Sequence, residues 1–468
     1  MRDSSPCHRS MNMKVSFYTL GCKVNQYETQ SMREQFRKAG YGIAEEEESA
    51  DICVINTCSV TNVADRKSRQ YIRRMKKLNP DAVIVVTGCY AQTDPEAVSE
   101  IEGVSIIAGT NEKSRIVSFV SDYMEKHASE SRGLLESEQA ENHVLPYEEL
   151  IHYEDMGTIT AMESRSRAYV KIQEGCDRFC SYCIIPYARG PVRSRSVGSI
   201  VDEVRNLIDS GYREAVLTGI NTALYGRDQK GYDNGEGMLQ LLDGIVSLQG
   251  DFRIRLSSLE PNVVDRETAL KLIRYEKLCR HMHLSLQSGS DTVLRRMRRR
   301  YNVRQYSGIA DALRSSDPDY GITTDIIVGF PGETESEFEE TLETVRKIRF
   351  SKIHVFRYSK RSFTEAAEMP DQVDGNIKNQ RADILSEESE KQAEQFYQQN
   401  SGKTRRVLFE RLTADGKYLE GYTDNYIKVY VPASKAEKEN NLYDFSDILL
   451  TDPFRDGMTG NLANRRQV

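Results

Sequence analysis

Short apolar runs alternate with amphipathic stretches over two separate lengths of this chain, and the first length predicts a parallel sheet covered by helices. KVSFYTL (14–20), DICVIN (51–56), AVIVVTG (82–88) and VSIIAG (104–109) read as strands. The stretches 25–39, 61–78 and 111–126 carry the 3.6-residue period of helices. Strands that are apolar without alternation, separated by helices, imply a sheet buried on both faces. Residues 127–166 turn polar and acidic with weak periodicity and read as a linker.

A second alternation begins at 167. Its strands are AYVKIQ (168–173), EAVLTG (214–219), RIRLSS (253–258), HMHLSL (281–286), ITTDIIVG (322–329) and KIHVFR (352–357). Helical segments lie near 198–210, 238–248, 265–277, 302–315 and 335–348. Six β/α units are too few for a complete eight-stranded barrel, so an open, partial barrel is expected, with its working face at the carboxyl ends of the strands. A polar helix follows at 378–400. The tail from 401, with RRVLFE, YIKVYVP and SDILLT, predicts a small OB-like β-barrel, an architecture that often binds RNA. The fold class is therefore α/β in three domains: 14–126, a linker at 127–166, the partial barrel at 167–400, and a β-barrel at 401–468.

Composition narrows the setting. No apolar run approaches the ~20 residues of a membrane span, and the opening MRDSSPCHRSMNMK lacks the apolar core of a secretory signal. A cytoplasmic protein with no membrane partner is expected. Fold signals begin only at Lys14, so Met1, Met11 and Met13 all remain possible starts. The net charge of −7 argues against a uniformly basic nucleic-acid binder, but the charge is segregated. Seven basic residues fall in 66–77 and five in 295–300, while acid collects at 45–49 and 135–155. Arg66, Lys67, Arg69, Arg73 and Arg74 on one helix suit RNA phosphates. Each basic run reads equally as a solvated helix face.

The nine cysteines look reduced, which favours metal or redox use over disulfides. GCDRFCSYC sets Cys176, Cys180 and Cys183 in a C-x3-C-x2-C array after the first barrel strand. Three thiolates hold three irons of a [4Fe–4S] cluster and leave the fourth open to a chelating small molecule. Zinc would want a fourth protein ligand, and no His or Cys lies close behind Cys183. Tyr182 is placed to pack over a bound nucleoside. In the first domain Cys22, Cys58 and Cys89 each follow a strand, at one edge of the sheet, where ligands bind in such folds. Chance core cysteines are the alternative. Cys53 lies inside an apolar strand and reads as a small hydrophobe, as do Cys7 and Cys279. Asn221, Ser258, Glu260 and Gln287 at barrel strand ends are candidates for holding a cofactor, and helix capping is the competing role for each. Asp325 sits in a strand that should be buried and needs a partner. Arg405, Tyr422 and Tyr426 in the tail are candidates for RNA pairing and stacking, or for core.

The C-x3-C-x2-C array opening a run of β/α units resembles the radical S-adenosylmethionine superfamily. The segments TLGCKVNQYE, NTCSVTNVADRKSR, TGCYAQ, GCDRFCSYCIIPYARGPVRSR, RLSSLEP, HLSLQSGSDTVLRRMRRRY, TDIIVGFPGET and GYTDNYIKVYVP together resemble its methylthiotransferase family. The resemblance implies two [4Fe–4S] clusters, an auxiliary one on Cys22, Cys58 and Cys89 and a radical one on Cys176, Cys180 and Cys183. It implies S-adenosylmethionine as methyl donor and radical source. It also implies an electron donor such as flavodoxin or ferredoxin, a sulfur source, and the anticodon stem-loop of tRNA as partner. GCKVNQYE, with Tyr27 and Glu28, and TGCYAQ are most similar to the branch acting on N6-threonylcarbamoyladenosine at position 37. The same chemistry on N6-isopentenyladenosine-37 or on a ribosomal-protein aspartate is the alternative. A non-catalytic iron–sulfur redox sensor that binds RNA is the alternative of another class. One departure stands out: the family often has Gly-Thr after its SKR motif, where this chain has Phe363 and Thr364.

Overall fold

The structure, a computed structural model, describes residues 13–45, 48–127, 139–160, 162, 166–229, 235–433 and 442–463. Cys7, Met1, Met11, and parts of the acidic run at 45–49 and of the expected linker lie outside the described residues. The chain forms two compact units, one of residues 1–159, 173–195 and 359–364, the other of 160–172, 196–358 and 365–468. The division does not follow the domain boundaries read in the sequence: 359–364 joins the first unit and the expected linker is split at 159/160. The cysteine-bearing segment 173–195 belongs with the first unit, and the C-terminal barrel is part of the second.

In the first unit, β1 (Lys14–Thr19), β2 (Gly42–Ile43), β3 (Ile52–Thr57), β4 (Val83–Gly88), β5 (Ile106–Ile107) and β6 (Glu141–Asn142) form one sheet in the order β2-β1-β3-β4-β5-β6. Every pairing in it is parallel. Helices α1 (Lys23–Lys38), α2 (Asn62–Leu78), α3 (Cys89–Thr93), α4 (Pro95–Ser99) and α5 (Ile116–His127) connect and cover it. Strand β3 is buried at all six positions. Its even residues, Ile52 and Val54, pack with Phe36, Phe119 and Val120 on one face. Its odd residues, Cys53 and Ile55, pack with Ile72 and Met75 on the other. Cys53 is thus a core residue, accepting a hydrogen bond from Ser16 Oγ at 3.2 Å.

Also in this unit, β8 (Gln173–Glu174) and β9 (Arg193–Ser194) form a two-stranded antiparallel ribbon that closes the segment carrying α6 (Ile185–Arg189). The second unit's strands are β7 (Arg167–Lys171), β10 (Glu214–Thr218), β11 (Arg253–Leu256), β12 (His281–His283), β13 (Gly321–Val328) and β14 (Lys352–Arg357). They make two parallel three-stranded sheets, β11-β10-β7 and β12-β13-β14. Parallel bridges at Ile254–Leu278 and Leu259–Leu284 join them, giving a six-stranded partial barrel. Its helices are α7 (Val197–Asp209), α8 (Glu236–Val246), α9 (Arg266–Leu272), α10 (Asp291–Arg296), α11 (Val303–Ser316), α12 (Glu335–Ile348), α13 (Glu365–Glu368) and the long α14 (Gly375–Asn400). Side-chain caps mark several starts, with full capping boxes at Asn302/Gln305 and Thr334/Glu337.

Five further strands, β15 (Thr404–Leu412), β16 (Tyr418–Thr423), β17 (Lys428–Pro432), β18 (Phe445–Phe454) and β19 (Gly457–Leu462), close into a small barrel around Val407, Phe409, Val429, Ile448 and Leu450. This barrel seats on the amino ends of the partial-barrel strands. Arg253 Nη2 donates to Tyr422 O at 3.0 Å, Arg255 Nη2 to Thr423 O at 3.1 Å and Arg255 Nη1 to Asp424 O at 3.1 Å. Gly321 opens β13, and a Cβ there would lie 2.3 Å from Asn425 O, so this approach requires glycine. Glu214, at the start of β10, accepts from Arg253 and Arg255 and offsets part of the arginine charge of the seam.

Candidate metal centres

The parallel register brings the first three cysteines together. Thr19 pairs with Asn56, and Thr57 with Gly88. Cys58 and Cys89 therefore leave adjacent strands at the same level, and Cys22 lies one residue past the level of Cys58. Gly21 has φ +108, and a Cβ on it would sit 2.8 Å from Cys58 Cβ and 3.0 Å from its Sγ. Gly88, at φ +97, would place a Cβ 2.4 Å from Thr57 O. Both glycines let the chain turn where the thiols converge. Burial, with Cys89 and Cys22 close by, pushes the Cys58 thiol up to about 12. Cys22 is the exposed member of the triad. Thiols crowded in this way are poor free thiolates, and iron that takes up their charge relieves the crowding. A cluster with three cysteine ligands fits these residues. The polar side chains at Cys22 and Cys89 are Asn25 and the cation Arg189, not the fourth thiolate or imidazole that structural zinc asks for.

The second triad lies on the loop between β8 and α6. Gly175, at φ +72, turns the chain into it, and a Cβ there would fall 1.8 Å from Pro191 O. Cys176 N donates to Gly190 O at 3.0 Å, and Cys183 N to Cys180 O at 2.9 Å. Cys180 is buried, while Cys176, Cys183 and Tyr182 are half-buried. Phe179 and Tyr187, both exposed, meet edge to face at 5.7 Å. Three thiols within eight residues, two of them reachable, fit a cluster with one open iron.

Both triads sit in the first unit, and a buried ionic hub joins their loops. Arg189 is fully buried. Its Nε donates to Cys89 Sγ at 3.2 Å and its Nη2 to Asn25 Oδ1 at 2.6 Å. Nη1 reaches Glu28 Oε1 at 2.6 Å and Glu174 Oε2 at 3.1 Å. Lys113, also fully buried, pairs with Glu28 at 3.0 Å. The sequence reading missed Arg189, Asn25, Glu174 and Lys113, and cited Glu28 only within a matching segment. No periodicity marks residues paired 161 positions apart.

On α2, Arg66, Lys67, Arg73 and Arg74 are exposed. Arg69 is half-buried and donates to Tyr90 OH at 3.2 Å. The loop with the departing SKR motif docks beside this helix: Arg361 pairs with Asp65 at 2.7 Å and donates to Ser59 Oγ at 2.8 Å. Phe363 has φ 68 and is 70% exposed. A glycine would adopt this left-handed backbone without strain.

In the second unit, Asn221 Nδ2 donates to Glu260 Oε2 at 2.9 Å. Two of the four strand-end candidates are thus paired. Ser258 is exposed, and its carbonyl accepts from Thr222 Oγ1. Gln287, at φ 68, ends the β12 edge with its N–H on Asp325 O. Asp325 finds its partner in His283 at 3.1 Å, with His354 on the neighbouring strand. The second basic run is largely engaged: Arg296 pairs with Glu337 at 2.8 Å, Arg298 with Glu365, and Arg299 donates to Tyr301 OH at 3.0 Å. The tail residues read as candidates for RNA pairing and stacking, or for core, make contacts within the second unit. Arg405 pairs with Asp319, the Tyr422 ring lies 5.3 Å from the Arg167 guanidinium, and the Tyr426 ring lies 4.5 Å from that of Arg255. These side chains hold the small barrel on the strand starts, because aromatic faces there shield buried arginines.

Comparison with known proteins agrees with this geometry. The family described as "Uncharacterized protein family UPF0004" matches residues 14–109, and the Radical SAM superfamily matches 170–345. The chain is 43% identical over 418 residues to "Threonylcarbamoyladenosine tRNA methylthiotransferase MtaB" of Bacillus subtilis, covering 89% of each chain. It is 37% identical to the protein of the same name from Aquifex aeolicus, covering 89% of this chain and 96% of that one. It is also 37% identical to "tRNA-2-methylthio-N(6)-dimethylallyladenosine synthase" of Carboxydothermus hydrogenoformans, over 80% of this chain and 82% of that one. Among solved structures, the radical S-adenosylmethionine methyltransferase TsrM from Kitasatospora setae matches with a TM-score of 0.55 and 15% identity, over 76% of this chain and 77% of that one, and shares the fold. On these matches, with a cysteine triad in each of the two matched segments, the chain belongs to the radical S-adenosylmethionine methylthiotransferase family.

Proposed function

We propose that this enzyme replaces the C2 hydrogen of N6-threonylcarbamoyladenosine at position 37 of tRNA with a methylthio group. The observation that carries the reading is the pair of cysteine triads in one unit, each offering three thiols. The choice of nucleoside is supported by relatives at 37–43% identity that bear that substrate in their names.

When bound, the two [4Fe–4S] clusters and S-adenosylmethionine supply the sulfur, the methyl group and the hydrogen-abstracting radical. Cys22, Cys58 and Cys89 hold the auxiliary cluster, and Cys176, Cys180 and Cys183 the radical one. Tyr182 packs against the nucleoside part of the cofactor. Within the second unit, Asn221 and Glu260, already paired, offer an amide and a carboxylate as candidate cofactor contacts, as do Ser258 and Gln287 at neighbouring strand ends. Arg66, Lys67, Arg73 and Arg74 meet phosphates of the anticodon stem-loop, and Arg69 braces Tyr90 behind them. The functional segments are 14–126 for the auxiliary cluster, 167–400 for radical chemistry and 401–468 for the small barrel, with 127–166 linking the first two. A one-electron donor of flavodoxin or ferredoxin type and a sulfur source complete the cycle. Among the described residues no helix is long and apolar enough to cross a membrane, and a cytoplasmic setting suits a tRNA substrate.

The test is nucleoside mass spectrometry of tRNA from cells with and without the gene. Loss of 2-methylthio-N6-threonylcarbamoyladenosine, with its precursor accumulating, is expected. Loss of the isopentenyl counterpart alone would overturn the choice of nucleoside and leave the chemistry standing.

A further inference from the structure

Arg189 is the last residue of α6, six positions after Cys183, yet its guanidinium lies against the other triad. All five of its N–H groups have acceptors: Nε on Cys89 Sγ, Nη1 on Glu28 and Glu174, and Nη2 on Asn25 and Glu28. Asn25 in turn meets Cys22 Sγ at 3.8 Å. The next residue, Gly190, accepts from Cys176 N. One side chain and its neighbouring peptide therefore link Cys22 and Cys89 to Cys176. Glu28 and Glu174 face the cations Arg189 and Lys113. Once Cys89 is a thiolate on iron, the guanidinium is a cation hydrogen-bonded to that ligand in a water-free setting.

We propose that Arg189 is a positioning residue that sets the reduction potential of the auxiliary cluster and fixes the radical-cluster loop against it. A hydrogen bond and a positive charge at a ligand sulfur favour the more negative, reduced cluster, so Arg189 raises the potential. Glu28 works in the opposite sense. The inference rests on the assignment of Cys22, Cys58 and Cys89 to an auxiliary cluster.

The experiment is a dithionite titration of the holoenzyme followed by electron paramagnetic resonance. The auxiliary signal is assigned in a variant with Cys176, Cys180 and Cys183 changed to Ala. Arg189→Met should leave at least tenfold less reduced auxiliary cluster at a fixed potential, a downward shift of about 59 mV for one electron. Arg189→Lys should fall between Met and the parent, and the isosteric Glu28→Gln should shift the potential upward. An Arg189→Met protein with full iron content and a reduced fraction within twofold of the parent would overturn the inference. If that variant fails to load iron, Glu28→Gln decides, and an unchanged or lowered potential overturns it. A parent that never binds two four-iron clusters defeats the cluster assignment instead.

Discussion

Replacing Glu214 by Ala should cost about 3 to 5 kcal/mol at pH 7, the range for removing one partner of a buried ion pair. Glu214 is 1% exposed, with Arg253 Nε at 2.6 Å, Arg255 Nε at 2.9 Å and Arg167 Nη1 at 3.9 Å. Without it, Arg255 remains as an uncompensated charge in a site equally closed to water. The guanidinium groups hold the Glu214 carboxyl far below the usual carboxylate range. A depressed folded value means stabilisation that is complete above the unfolded carboxylate value of about 4.3 and is lost as pH falls toward the folded one. The gap between parent and variant should therefore be full at neutral pH and shrink below about pH 4. The chain has no tryptophan, so urea unfolding is best followed by circular dichroism, with hydrogen exchange resolving strands 214–218 and 418–423. A gap under 1 kcal/mol at pH 7, or one that does not change with pH, would refute this account of the seam.

Glu112 is buried, and burial raises its carboxyl to about 7. Its folded value is raised, so stability is full below about pH 4.3 and lost as pH climbs through 7, by about 3 kcal/mol in all. Glu112→Gln should abolish that loss in thermal melts between pH 5 and 8, and parallel melting curves for parent and variant would contradict it. Phe363→Gly should stabilise the protein by about 1 kcal/mol by relieving left-handed backbone strain, whereas a lower melting temperature would mean the ring is needed for packing. Changing Arg66, Lys67, Arg73 and Arg74 together to Gln should flatten the salt dependence of tRNA binding by about 0.7 to 0.9 in log–log slope per lost phosphate contact. An unaltered slope would remove α2 from the RNA interface.

The elements best read from the sequence are those whose burial is one-sided or complete. Strand β3 is apolar because both its faces are covered, and α12 starts where Thr334 and Glu337 cap it. The cysteines at strand ends followed from the parallel topology alone. Strands β16 and β19 escaped notice because YLEGYT and GMTGNL carry glycines and few branched residues, and only barrel closure makes them strands. For Tyr422, Tyr426 and Arg405 the sequence left RNA contact and core packing both open, for a related reason. An aromatic or a cation on a small barrel has the same sequence signature whether it faces RNA or a neighbouring arginine.

Charged residues inside a core carry the least warning of all. Arg189, Glu28, Glu174 and Lys113 belong to four different elements or turns, and each alone reads as ordinary solvated charge. Their burial is tolerable only because every member is paired, so the four stand or fall together. This is also why segment 173–195 packs with the first unit despite its place in the chain between barrel strands. Thr110 Oγ1 donates to Ala188 O at 2.8 Å and the buried Arg193 to Asn111 at 2.8 Å, adding contacts around the same hub. A change at Glu28 or Lys113, outside the radical-cluster motif, therefore acts directly on the loop that holds Cys176, Cys180 and Cys183. The two triads behave as one structural object, and the hub makes them so.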